Sequence, residues 1–467
     1  MYKIEEISVR LAQLETQLTE QNKIILGLKK ENKMLRRQRE KDARKIGTLK
    51  KQVKTFLSEL KKYKNSNTPS SANKHMKQNT NGKTGKGGKR GAPKGHTGTT
   101  RESVPIEKNI VDTDECPNCH GHNTKDDEII KKVTEEIPQP VPPTVTDNEI
   151  HKKECLDCGL KFIPPNNMVP LTGRFGINLM IFVLFVRFIL RGVLRKTASF
   201  FEAGFALKIT PATVSAILKR ASEAANKDYE ILKQRVRLAN RVFVDETSFS
   251  VLGKNFWLWV FRTNTNDIFL VIRPTRGNKV LAEVLGEFYP GVVHCDCWRA
   301  YDFLKNAFIQ RCWAHLLRKS KELIGIPGRH FHAKLKALFE EIKEFNKTNP
   351  TKEQREEKTI VMTLKLKKLT RQYSKCEEIK PVVKYIDNHL YQWFTCVKLP
   401  DVEPTNNLAE QAIRESVMVR KIIGAFRSED GSKHYERLAS LVATWQLQGK
   451  DLQKELRSML IRNLCLS

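Results

Sequence analysis

Two aspartates occupy positions where acids are expensive. Asp245 ends the apolar run Val242-Phe243-Val244, and Asp296 follows Val292-Val293-His294-Cys295. A carboxylate in a central strand is strongly disfavoured unless it is paired or bound to a cation, and metal coordination accounts for both at once. Because side chains alternate along a strand, Asp296 is expected to face one way while Cys295 and Cys297 face the other as packing residues. A third acid is sought in Glu403-Pro404-Thr405-Asn406-Asn407-Leu408-Ala409-Glu410, which contains a helix start. Here two readings stay open. Glu410 is either a metal ligand or the capping-box partner of Asn407, with Arg414 four residues on as an ion-pair partner, and Glu403 is the rival carboxylate.

A second chemistry lies upstream, in Cys116-Pro-Asn-Cys119 and Cys155-Leu-Asp-Cys158. Four thiolates in two such pairs can close a tetrahedral site around structural Zn²⁺, with His120 and His151 as adjacent spare ligands; unmetallated buried thiols are the alternative. The interval between the pairs is longer than in the usual zinc ribbon, so the arms must form a hairpin or a longer excursion. No signal peptide precedes them, and the greasiest stretch, Phe175 to Leu190, carries Asn178 and Arg187 and is too short to span a bilayer. A cytoplasmic, nucleoid-associated protein with no membrane partner is expected, its ten cysteines in a reducing compartment.

The elements that must position these groups follow from periodicity. Arg241 to Val251, Asn255 to Thr263 and Asp267 to Arg273 are rich in Val, Phe, Trp and Ile and separated by short turns, which predicts an antiparallel meander. Gly277 to Leu285 reads as a helix and Gly291 to Cys297 as a fourth strand. Three strands, a helix and a strand open a ribonuclease H-like fold. Lys321 to Leu399 reads as helices inserted between the second acid and the third. Ahead of the meander, Lys196 to Ala203 reads as a short helix, Gly204 as a turn, and Thr210-Pro211 as a helix start, followed by Thr213, Ser215, Lys219 and Arg220. That is a helix-turn-helix arrangement with those four side chains offered to DNA.

The charge balance points the same way. Against 52 acidic residues stand 83 Lys plus Arg, a net charge of +31, and a polyanion is the natural partner. Residues 65–101 hold eight Lys or Arg, including Lys89 and Arg90, and no Asp or Glu; they read as a flexible basic tether able to lie along phosphates. From Ile4 to Tyr63 apolar residues recur at alternating spacings of three and four, as in a coiled-coil seam, with Asn32 at an a position. Self-association through this seam into a homodimer or higher oligomer is expected. The alternative is packing against the rest of the same chain.

The expected architecture is therefore multidomain α+β. It comprises a coiled coil (1–64), a basic linker (65–108), a zinc-ribbon-like module (109–168), a helix-turn-helix region (170–228), a catalytic domain in two parts (238–330 and 400–467) and a helical insertion between them (331–399).

At this point the residues carry a family resemblance. Asp245-Glu246-Thr247, Asp296-Cys297-Trp298-Arg299-Ala300-Tyr301, Cys312-Trp313-Ala314-His315-Leu316-Leu317-Arg318 and Glu403 to Glu410 resemble the signature blocks of insertion sequence 66 family transposases, a group of DDE enzymes. Gly95-His96-Thr97-Gly98, the two cysteine pairs and Arg420-Lys421 extend it. The chain departs from the family's usual pattern at Gln411, where Arg is usual, and around Phe426-Arg427. The resemblance implies that Asp245, Asp296 and Glu410 form the triad and hold Mg²⁺ (or Mn²⁺). It implies double-stranded DNA, as element ends and target, for the substrate, and companion proteins of the element as further partners. His315 and Arg318 are placed to orient or stabilise phosphate; a buried pair at an element end is their alternative reading. A non-enzymatic zinc-containing DNA-binding regulator and a structure-selective nuclease are the competing functions.

Overall fold

A computed structural model describes residues 2–63, 104–105, 107–135, 139–164, 166 and 168–465. The chain divides into two compact units at Thr100. The basic tether, with Lys89 and Arg90, lies outside the described residues apart from 104–105 and 107–108.

The described residues of the first unit form one helix, α1 (Tyr2–Tyr63, 62 residues), about 93 Å long at the α-helical rise. Along it Leu14, Leu18, Ile25, Leu28, Leu35, Ile46, Leu49, Val53 and Phe56 are exposed.

The second unit opens with irregular chain and a two-stranded ladder, β1 (Lys153–Glu154) and β2 (Lys161–Phe162), antiparallel. Four helices follow: α2 (Ile177–Phe188), α3 (Leu194–Phe205), α4 (Pro211–Ala224) and α5 (Asn226–Leu238). The Thr210 hydroxyl caps α4 by accepting from the Thr213 N–H at 3.1 Å, with Pro211 at the first helical position as expected. The turn before it is not at Gly204. That residue lies inside α3, which ends instead on Ala206 in the left-handed region (φ 51°). The Ala206 and Leu207 N–H groups reach back to Glu202 and Phe201 carbonyls, and these bonds hold the turn without a glycine.

The main sheet contains β3 (Arg241–Val251), β4 (Lys254–Thr263) and β5 (Ile268–Arg273), then, after α6 (Lys279–Leu285), β6 (Val292–Cys295) and β7 (Phe308–Arg311). Their order is β5-β4-β3-β6-β7, the first three antiparallel and the last two parallel to β3. Leu252 and Gly253, both at positive φ, close the β3–β4 hairpin as a two-residue turn whose twist matches the strands. The strands read as continuous apolar runs because both faces are covered. Val242, Val244, Trp259, Phe261 and Val271 pack against α2, α4, α5, α6, α13 (Glu429–Leu447) and α14 (Leu452–Leu464). Phe243, Phe249, Leu258, Val260 and Leu270 pack against α12 (Asn407–Ile423) and part of α13. The helices of residues 170–228 thus share one core with the sheet.

Strand β6 is shorter than expected and stops at Cys295, so Asp296 is the first residue beyond it. The chain there turns into a 3-10 segment, Arg299–Phe303. Between the second and third acids, α7 (Trp313–Lys321), α8 (Gly325–Lys347), α9 (Lys352–Tyr373), α10 (Lys380–Asp387) and α11 (Thr395–Lys398) build a separate core around Phe331, Leu335, Ile342, Met362, Leu366, Val383 and Trp393. No helix among the described residues is long and apolar enough to cross a membrane.

Candidate active site

The parallel pairing of β3 with β6 runs through Phe243 opposite His294, whose rings stack at 4.1 Å. Two residues further along each chain come Asp245, still within β3, and Asp296, just past the end of β6, near enough for the Asp296 charge to act on Asp245. Each is fixed locally. The Asp245 Oδ1 accepts from the Glu246 N–H at 2.9 Å, and the Asp296 Oδ1 accepts from the Trp298 N–H at 2.7 Å, an Asx-turn that bends the chain away from the sheet.

Arg311, fully buried on β7, holds that bend from beneath. Its guanidinium donates to the Asp296 carbonyl at 2.7 Å, the Trp298 carbonyl at 3.2 Å and the Asp302 carboxylate at 2.6 Å, and its Nε donates to Gln392 at 2.7 Å. From the other side Arg276 donates to Glu246 at 2.7 Å and lies 3.5 Å from the Asp296 carboxylate. Trp257 and Trp298 rings flank its guanidinium at 4.9 and 4.3 Å. Glu246 also accepts from the Tyr301 hydroxyl at 2.7 Å.

The third acid arrives on α12, and Asn406 sets its place. The Asn406 side chain donates to the Val244 carbonyl at 2.8 Å, next to Asp245, and its N–H donates to the Cys312 sulfur at 3.2 Å. Asn406, not Asn407, is the N-cap residue, and its side chain makes no cap bond. The capping box offered as the alternative role of Glu410 is therefore not formed. The Glu410 carboxylate is held by Arg318 at 2.5 Å and lies 3.6 Å from His315 Nδ1. Glu403 is exposed and is not among the acids acting on Asp245.

The electrostatics follow from crowding. Burial foremost, then the negative charges of Glu246, Asp296 and Glu410, raise the Asp245 carboxyl to about 7. Burial also raises Glu246, with Tyr301 and Arg276 opposing it, and burial followed by the Arg318 charge lowers His315. A buried carboxyl repelled by three others is a place where a divalent cation relieves strain, and carboxylate oxygens suit a hard ion such as Mg²⁺ or Mn²⁺.

The sign of the pH effect is then fixed. An acid whose value is raised on folding binds more protons folded than unfolded. Without a cation, the contribution of Asp245 to stability is fullest below about pH 4 and is lost as the pH rises toward 7, the span between an ordinary Asp at 3.8 and Asp245 here. Asp245→Asn keeps the acceptor for the Glu246 N–H and removes the charge. In chelator at pH 8 this variant is expected to unfold at higher urea than the wild type, the gap closing toward pH 4; equal midpoints throughout would contradict it.

The cysteine pairs form two matching turns. Cys116 N–H donates to the Gly121 carbonyl at 3.0 Å and Cys155 N–H to the Leu160 carbonyl at 2.9 Å, with His120 and Gly159 at positive φ. Backbone N–H groups of the following residues lower the Cys116 and Cys155 thiols. Each pair is brought together, but the four sulfurs do not converge on one point among the described residues. On α4, Ser215 and Lys219 are exposed, Lys219 lying 3.9 Å from Glu223. Thr213 bonds the Thr210 hydroxyl at 3.0 Å, and Arg220 is turned inward to the Thr172 carbonyl.

Glu246, Arg276, Arg311, Cys312 and Asn406 were not singled out by sequence reasoning as site residues. Gln310-Arg311 within an apolar strand was a readable signal, since a charge there needs buried partners. Arg276 offered none, because its partners lie on other elements.

A family model described as Transposase IS66 family matches residues 172–434, more than half of the chain and all three acids. The chain is therefore a member of the IS66 transposase family. No match was found among curated proteins.

Proposed function

We propose that this transposase is a DDE enzyme of ribonuclease H-like fold, in which Asp245, Asp296 and Glu410 hold Mg²⁺ or Mn²⁺ and act on double-stranded DNA at element ends and target. The observation that supports the reading is that Asp245 and Asp296 each stand two residues past the stacked Phe243–His294 pair, with α12 tied to the Val244 carbonyl by Asn406 and the Asp296 and Glu410 charges both acting on Asp245. Divalent cations bound there supply Lewis-acid stabilisation of the attacking and leaving oxygens of a phosphodiester displacement. Burial and the neighbouring negative charges keep Asp245 poised for a cation. Arg276 and Arg311 hold the Asp296 bend and Asn406 fixes α12. The three carboxylates do not lie within 4.8 Å of one another, so Glu410 must leave Arg318 and the side chains must close on a cation as it binds. Arg318, 58% exposed, can leave Glu410 for a phosphate oxygen.

In the first reaction water attacks phosphorus at the element end, the P–O3′ bond breaks, and a free 3′-hydroxyl is released beside a 5′-phosphate. In the second that hydroxyl attacks a target phosphodiester, a new P–O bond joins element to target, the target's P–O3′ bond breaks, and its 3′-oxygen leaves as a hydroxyl, taking up the proton lost by the attacking group. Incubating protein with pre-cut ends and plasmid tests the reading: joined products are expected, and nicking without joining would assign a nuclease instead.

The remaining modules fit a DNA-bound assembly. The α1 seam, with Asn32 in it, would pair with a second copy. The basic tether and the α4 residues Ser215 and Lys219 would follow DNA, and the two cysteine turns would close on one structural Zn²⁺. Cys155→Ser is expected to lower bound zinc by about one ion per chain and to open residues 109–168 to protease while the sheet core resists. Unchanged zinc content and cleavage pattern would contradict the zinc module.

A further inference from the structure

One converging group joins Glu410 to two side chains, Cys312 and His315, that this mechanism does not use. The Cys312 sulfur, a His315 ring nitrogen and a Glu410 oxygen all lie within 4.8 Å of one another, and no other His, Cys, Asp or Glu group of this kind occurs among the described residues. Cys312 is the N-cap residue of α7 and His315 stands three residues on, so one helical turn presents both ligands in the same direction. The sulfur accepts from the Asn406 N–H at 3.2 Å, with the His315 and Ala314 N–H groups also directed at it, while burial, the larger effect, raises the thiol. His315 Nδ1 is buried, has no hydrogen-bond partner and lies 3.6 Å from Glu410 Oε1.

We infer that Cys312, His315 and Glu410 form a binding site for a borderline-soft divalent cation of the Zn²⁺ class, and that filling it withdraws Glu410 from the acid cluster and switches the centre off. The second clause rests on Glu410 being the third acid; the first does not. A thiolate and an imidazole discriminate against Mg²⁺, so ordinary Mg²⁺ levels leave the site free. Tetrahedral Zn²⁺, with bonds of about 2.0–2.3 Å, sets ligand atoms about 3.5 Å apart, so the group closes by roughly 1 Å. Arg318 must release Glu410, and its exposed side chain can swing into solvent. Binding sends the Cys312 thiol proton to solvent and leaves the fourth position to water.

The test is a Co²⁺ titration of the full-length protein followed by its thiolate-to-cobalt charge-transfer absorption. The Cys116–Cys119 and Cys155–Cys158 thiols contribute equally to all samples, so the difference between wild type and Cys312→Ser isolates this site. The wild type is expected to show the larger band, and His315→Gln to weaken that extra component at least about tenfold. Identical spectra for wild type and Cys312→Ser would overturn the site. In Mg²⁺-supported joining assays, added Zn²⁺ is expected to inhibit wild type far more than Cys312→Ser. Equal inhibition alongside a positive cobalt result would overturn the switch, whereas joining absent without Zn²⁺ in the wild type would count against the transposase chemistry and leave the cobalt result to decide the site.

Discussion

Asp296→Asn is expected to leave binding to DNA fragments carrying the element's terminal repeats unchanged while Mg²⁺-dependent cleavage falls by at least about 100-fold. The magnitude follows from comparison: loss of a group that only supports a metal ligand already lowers affinity or activity about 10–100-fold, and loss of a ligand exceeds that. The fold should tolerate the change. Asparagine retains an oxygen for the Trp298 N–H, and Arg311 holds the bend through backbone carbonyls and Asp302 rather than through the Asp296 side chain. Mobility-shift and cleavage assays on one preparation separate the two effects. Retained cleavage would remove Asp296 from the chemistry and favour a protein that only binds DNA.

Arg311→Met should have the largest effect on stability. Methionine fills much of the space but leaves the Asp296 and Trp298 carbonyls, Gln392 and Asp302 without their donor. Breaking a buried ion pair costs about 3–5 kcal/mol; because Asp302 is 38% exposed, water recovers part of this and a loss near 3 kcal/mol is expected. Urea unfolding with divalent cation absent measures it directly. A loss below about 1 kcal/mol would mean that the bend carrying Asp296 is held by other contacts. Cation binding should weaken together with stability, because the same guanidinium sets the position of the Asp296 backbone.

The parts of this architecture set by local pattern were legible in the sequence. The three meander strands fall within a residue of their expected ends, because both faces are buried and tight turns bound them. Thr210-Pro211 marked a helix start for reasons contained in those two residues. Asp245 and Asp296 stood out because each interrupts an apolar run. Glu410 did not, since a helix start with Asn407 three residues earlier looks the same whether the acid caps the helix or faces a strand. What separates the two is Asn406 reaching the Val244 carbonyl, a contact across 162 residues that no spacing reveals. Arg276 was hidden for the same reason, its partners being supplied by other elements, whereas the charge of Arg311 beside Ile309 and Gln310 was visible though its partners were not. The turn placed at Gly204 and found at Ala206 shows the reverse failure. A glycine is permissive of the left-handed region, but backbone bonds to Phe201 and Glu202 decided where the chain used it.

Mn²⁺ binding to the full-length protein, followed by electron paramagnetic resonance, tests the meeting of the three acids most directly. Glu410→Gln and Asp245→Asn should each weaken that binding at least about tenfold, while Glu403→Gln leaves it unchanged. Mn²⁺ affinity that is indifferent to Glu410, or that depends on Glu403 instead, would contradict a shared cation centre at Asp245, Asp296 and Glu410.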